Sequence, residues 1–304
     1  KPITLVVGFA AGGAADHAAR IVAKKLAENL GTTVVIENKA GAGGNIAHLQ
    51  VVQGPTDGST ILLGSVGPLA IAPHLTKVGY DPQKDLAPLT MGMNFPNVLV
   101  VHPSTPFRTF RELLDHVRAN PGKLNYGYTH AASGHMAMEL LKLEASRCAP
   151  GTKDCKGVFM VGIPYRGGGP MLQDLLGGQI PLMFINQDVA LPHVKAGKLR
   201  ALAVTSLQRN PLYPDVPTID ESGLKGFQAL SWSGLSVVRG TPQPVIDRLD
   251  AALRKIMASA DFRQRLESVG FVVPPAGQAH YTAFVKSELD LWTRVIKTAG
   301  IKPE

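Results

Sequence analysis

The sequence predicts an α/β fold with mostly parallel sheets flanked by helices, and three observations predict it. Strand-like and helix-like segments alternate through most of the 304 residues, the pattern of parallel sheets covered by helices. Residues 3–28, ITLVVGFAAGGAADHAARIVAKKLAE, run from an apolar strand through a glycine-rich bend straight into an amphipathic helix. A hydrophobic content of 45% against 18% charged residues describes a folded chain with a sizeable core, built as one large domain or two medium ones.

The early strands are Ile3–Phe9, Thr33–Glu37 and Thr60–Gly64, with helices between them starting near Asp16 and Gly44. In the first helix Ala18, Val22, Leu26 and Leu30 recur every four residues and form a buried stripe. A strand at Asn97–His102 precedes a helix from Thr109 to about Ala119, whose Phe110, Leu113, Leu114 and Val117 share one face. Next come a strand at Leu124–Tyr128, a helix after Ser133, a strand at Val158–Pro164 and a helix over Pro170–Leu176. A strand at Leu182–Ile185, a short helix near Leu191–Ala196 and a strand at Ala201–Thr205 follow. The last third changes character. TPQPVIDRLDAALRKIMAS reads as a proline-started helix, and His280–Thr298 reads as another, with Tyr281, Phe284, Val285, Trp292, Val295 and Ile296 packing inward.

The bend at residues 8–16 carries the first functional indication. The first N–H groups of a helix lack intrahelical acceptors, and the helix dipole adds partial positive charge there, so a carboxylate or phosphate is the natural guest. Gly12 and Gly13 permit close backbone approach, and Asp16 is placed to cap the helix. A dinucleotide fits less well, because GFAAGGAAD does not match G-x-G-x-x-G, and no Gly-Lys-Ser/Thr follows. Glu37, at the end of the next strand, is the one feature favouring a ribose. Similar small-residue loops recur at strand ends in GSVGPLAI, YGYTHAASGHMAMELL and YRGGGPMLQDLL. In open α/β sheets ligands bind at the carboxyl ends of strands, so together these loops describe an anion-binding site. Thr129, Ser133 and Gly134 at one helix start form a second pocket of the same kind.

Other chemistry is less well supported. Ser65 in LGSVGP and Ser133 in HAASGHM do not fit G-x-S-x-G, and H-E-x-x-H is absent. His130 and His135 would diverge if both lay on one helix, and His48, His74 and His193 read as surface or capping residues. The net charge of +8 is dispersed, without the aromatic and basic stripe of nucleic-acid binders, so small anions are the better partners and no nucleic acid is expected. No apolar run reaches the ~20 residues that span a bilayer. Cys148 and Cys155 flank APGTKD, in which Pro150 and Gly151 favour a turn; a disulfide in an oxidising compartment is expected, with two reduced thiols as the alternative. A chain starting at Lys1 just before a strand reads as processed, with a signal peptide already removed.

GFAAGGAADHAAR, VIENKAGAGGNIA, PTDGSTILLGS, YDPQKDLAPL, IPYRGGGPMLQDLLGGQIPLMF, HVKAGKLRALAVTS, YPDVPTIDESG and WSGLSVVRGTP occur in order along nearly the whole chain. In these motifs the chain resembles the extracytoplasmic solute receptors of tripartite tricarboxylate transporters, the Bug or TctC-like family. The resemblance implies a two-domain periplasmic binding protein of the type II, Venus-flytrap kind. Its first domain would comprise residues 1–99 with 226–304 and its second residues 100–225, with a ligand cleft between them. It implies a monomer in the periplasm, without a cofactor, metal or catalytic residues, that passes a small carboxylate to membrane transporter subunits. The ligand contacts it implies are Phe9, Ala10, Ala11, Gly12, Gly13 and Asp16, then Ser65, Val66 and Gly67. Across the cleft it implies Thr129, His130, Ser133 and Gly134, with Gly167, Gly168 and Asn186 at the far end. A dicarboxylate, aliphatic or aromatic, is the first expectation for the ligand. Amino acids and nicotinate-like acids stay open, since Asp188 would favour an amino-bearing ligand if it lined the cleft.

Overall fold

The computed structural model describes residues 1–11, 14–147, 153 and 156–303. Gly12, Gly13, Cys148 and Cys155 therefore lie outside the described residues, and with them the expected disulfide and part of the first loop. Two compact units make up the chain, residues 1–94 with 232–304 and residues 95–231.

In the first unit the apolar β1 (Ile3–Val7) lies between two parallel neighbours, β2 (Val34–Asn38) and β3 (Thr60–Ser65), with Leu5 opposite both Ile36 and Ile61. Helix α1 (Ala14–Leu30) buries Ala18, Ala19, Val22, Ala23 and Leu26. A short 3-10 turn at Ala42–Gly44 leads into α2 (Asn45–Val52), and a π-type turn at Gly67–Ile71 leads into α3 (Ala72–Leu75). The 16-residue β4 (Leu86–Val101) runs out of this unit into the second.

The second unit places α4 (Phe110–Ala119), β5 (Asn125–Thr129), α5 (Ser133–Ala145), β6 (Val161–Tyr165) and α6 (Gly168–Leu176) in order. It continues with β7 (Leu182–Asn186), α7 (Gln187–Lys195) and β8 (Arg200–Val204). Strand β5 is parallel to β6 and β7, whereas β7 and β8 pair antiparallel with β4. The return strand β9 (Leu230–Val238) pairs antiparallel with β3. Antiparallel pairing thus gathers on the two strands that carry the chain from one unit to the other. Helices α8 (Gln243–Ala258), α9 (Ala260–Glu267) and α10 (Gln278–Ala299) complete the first unit.

Some boundaries differ from the sequence reading for local reasons. Residues 86–94, LAPLTMGMN, to which the sequence reading assigned no element, belong to β4; all but Pro88 and Asn94 are buried, and the strand tolerates Pro88 and Gly92. Helix α7 starts at Gln187 rather than near Leu191, since Pro192 within it does not break it. Helix α9 went unrecognised between two stronger helices; Ser259 caps it, accepting from the Phe262 N–H.

Candidate functional site

In the second unit the site begins where β5 ends. Ala131 has φ of +61°, an uncommon conformation for a residue with a Cβ. Its N–H donates to His135 Nδ1 at 3.1 Å, and the Ala132 N–H donates to the Thr129 carbonyl at 3.1 Å. This tight turn aims the start of α5 outward. The N–H groups of Ser133 and Gly134, in the first turn, are left without intrahelical acceptors. Gly134 is required for packing: a Cβ there would stand 3.0 Å from the Phe184 carbonyl oxygen of β7. A Cβ at Gly127 would run into Met171 and Ile180.

These groups open on a cavity of about 340 Å³. Of the expected ligand residues, Thr129, Ser133, Gly134, Gly168 and Asn186 line it, joined by Asn97 and Gly169. Met171, Leu172, Met183 and Val189 supply an apolar wall. His130 and Gly167 are not part of the lining. Nor is Asp188; its carboxylate turns back on the N–H groups of Asp188 and Val189, and burial raises its pKa. The wall of the cavity therefore carries no carboxylate, and its polar groups include the exposed start of a helix, an arrangement suited to an anion.

Two histidine readings are corrected here. His130 and His135 do meet, with ring centroids 5.6 Å apart, because His130 precedes the helix instead of lying on it. His135 also stacks on Tyr128 at 4.4 Å, and burial lowers its pKa to about 4. At neutral pH it is uncharged, so the 3.8 Å approach of Nε2 to Glu139 is not a charged pair. His48 is buried rather than on the surface: Nδ1 lies 2.8 Å from the Gly44 carbonyl, and burial lowers its pKa to about 4.

The sequence reading missed the groups that hold Ser133. Asn97, 2% exposed, donates from Nδ2 to Ser133 Oγ at 3.2 Å, and its backbone N–H is fixed by Thr205 Oγ1 at 2.9 Å. Ser231 Oγ lies 2.9 Å from Ser133 Oγ and 3.3 Å from Asn186 Oδ1. The sequence signal is weak, since Asn97 shares β4 with Thr90 and Asn94 and Ser231 shares β9 with Ser233 and Ser236.

In the first unit Phe9, Ala10 and Ala11 are exposed beyond the end of β1. Asn38 Nδ2 donates to the Phe9 carbonyl at 3.0 Å and to Asp16 Oδ1 at 2.9 Å, while Arg20 Nε donates to Asp16 Oδ2 at 2.9 Å. Asp16 is only 3% exposed. Both of its oxygens are engaged in shaping the loop, tying the start of α1 to the end of β2. Ser65 and Val66 are buried and Gly67 is half-buried at the end of β3. The Ser65 hydroxyl has no partner among the described residues. A Cβ on Gly44 would stand 3.7 Å from that hydroxyl, and one on Gly8 would stand 3.0 Å from Gly44 Cα. The ends of β1 and β3 therefore converge on the Ala42–Gly44 turn, which the sequence reading used for resemblance but not as part of the site. Among the described residues no group of His, Cys, Asp and Glu is arranged to hold a metal, and no helix is long and apolar enough to cross a membrane.

Comparison with known proteins agrees with this architecture. Residues 18–301 match the model of the tripartite tricarboxylate transporter family receptor. A Pseudomonas sp. (strain P51) protein described as a UPF0065 protein in the tcbD-tcbE intergenic region is 36% identical over 97% of this chain and 85% of its own length. Protein BugT of Bordetella pertussis is 32% identical over 99% of this chain and 90% of its own. An R. palustris protein solved with adipate superposes with a TM-score of 0.85 at 34% identity, covering 100% of this chain and 98% of its own. MatC from Rhodopseudomonas palustris, solved with bound malate, gives 0.79 at 32% identity, covering 97% and 98%. With its two α/β units, its strand-end loops and a family match over nearly its whole length, the chain belongs to the tripartite tricarboxylate transporter family receptors, a family of solute-binding receptors.

Proposed function

We propose that this protein captures a small dicarboxylate in the periplasm and delivers it to a tripartite tricarboxylate transporter. The observation that carries the reading is the outward-facing start of α5 at Ser133 and Gly134, opening on a cavity without a carboxylate in its wall. One carboxylate of the ligand accepts from these N–H groups and the Asn186 amide. The methylene chain lies along Met171, Met183 and Val189. The relatives solved with adipate and malate support this ligand class. The loops of residues 9–13 and 65–67 contribute further donors in the first unit, with Asp16 holding their shape.

Isothermal titration with adipate, malate, monocarboxylates and amino acids tests this directly. A dicarboxylate is expected to bind, and Asn186→Ala to weaken it about tenfold, the worth of a hydrogen bond to a charged group. The reading fails if no carboxylate in the panel binds the native protein.

A further inference from the structure

Ser231 stands outside the cavity lining yet touches two side chains within it. Its hydroxyl lies 2.9 Å from Ser133 Oγ and 3.3 Å from Asn186 Oδ1. Asn186 Oδ1 can only accept, so with that oxygen facing Ser231 the Asn186 NH2 group is left to face the cavity. Ser133 Oγ is fed from its other side by Asn97 Nδ2, which can only donate. The four groups form a chain of one direction, from the Asn97 amide through Ser133 and Ser231 to the Asn186 carbonyl. Its polarity is set by its ends. In this polarity the single Ser231 proton lies on Asn186 Oδ1 and the Ser133 proton on Ser231 Oγ, so Ser133 meets an anion with its backbone N–H.

Resting on the carboxylate reading above, we propose that Ser231 is a specificity-determining positioning residue that makes the site choose a carboxylate over a carboxamide. It does so without touching the ligand. By holding the Asn186 carbonyl oxygen away from the cavity, it presents an N–H donor where a carboxylate needs one, and denies an acceptor to a carboxamide N–H. Without the Ser231 hydroxyl the Asn186 amide is free to turn over. A buried acceptor facing a carboxylate is costly, while the same acceptor facing an amide N–H is satisfied. Ser231 is also the last residue of the second unit on β9, and Asn97 lies on β4. Both strands that carry the chain between units therefore contribute a member of this chain.

The experiment compares binding of a dicarboxylate with its monoamide, adipate against adipamate, by isothermal titration to native protein and to Ser231→Ala, Ser231→Thr and Asn186→Ala. Ser231→Ala is expected to lower adipate affinity about fivefold and leave adipamate affinity equal or higher, so that the selectivity ratio collapses. Ser231→Thr, which keeps the hydroxyl, restores the ratio. Adding Ser231→Ala to Asn186→Ala causes no further change in the ratio, because the two act through one amide. Equal losses for both ligands would show a merely structural Ser231 and overturn the proposal, as would an unchanged ratio. If native protein binds neither ligand nor any other carboxylate, it is the carboxylate reading itself that fails.

Discussion

Glu288 provides the sharpest test of the packing of the first unit. Trp232 Nε1 donates to Glu288 Oε1 at 2.6 Å, and the carboxyl is 7% exposed on α10. The indole also meets Tyr281 and Phe284 edge-on at 6.1 Å and 5.3 Å. Burial raises the Glu288 pKa from 4.5 to about 7, only partly offset by the indole hydrogen bond. A carboxyl that binds its proton more tightly folded than unfolded gives stability that is complete below pH 4.5 and is lost as pH rises through 7. Across that window the loss is about 3 kcal/mol, most of it between pH 5 and pH 8. Glu288→Gln keeps an acceptor for the indole and removes the titration. Both tryptophans, Trp232 and Trp292, belong to the first unit, so urea unfolding followed by tryptophan fluorescence reports on it. The stability of the variant relative to native protein is expected to rise by about 2 to 3 kcal/mol from pH 5 to pH 8. Buried neutral histidines such as His48 and His135 act in the opposite sense but are common to both proteins and cancel. A difference that stays flat within about 0.5 kcal/mol would show that Glu288 does not titrate in this range and refute the reasoning.

Two further predictions address local packing. A Cβ at Gly234 would lie 2.1 Å from Tyr281 Cζ, so Gly234→Ala is expected to cost at least about 2 kcal/mol by overpacking, read as a lowered Tm. Thr109 Oγ1 accepts from the Glu112 N–H at 3.1 Å, and Glu112 Oε2 accepts in return from the Arg108 N–H at 2.9 Å. Thr109→Ala should cost about 1 kcal/mol in urea unfolding and Thr109→Ser should recover most of it.

The alternation of elements was legible because periodicity is local: a stripe such as Phe110, Leu113, Leu114 and Val117 records helix and buried face together. The starts of α4 and α5 were legible for the same reason. What was not legible depends on partners distant in the chain. Residues 86–94 become strand only through pairing, and His130 meets His135 only because the turn at Ala131 ends before the helix begins. His48 is buried by tertiary packing that its own segment does not announce.

The same distinction explains why the glycines at the site were seen and the polar residues behind it were not. A glycine next to a helix start carries its reason in the neighbouring sequence, since close approach and unpaired N–H groups are properties of that one segment. Asn97 and Ser231 come from two strands, and a buried polar side chain in a largely apolar strand is costly unless it finds partners. Each is unremarkable alone, and their joint purpose exists only once β4 and β9 place them within hydrogen-bond reach of Ser133. A receptor family that keeps its backbone loops and varies such supporting groups can change which ligand is accepted without changing how the ligand is held. For this chain, the polarity of Asn186 rather than the glycine loops is therefore where ligand choice should first be altered.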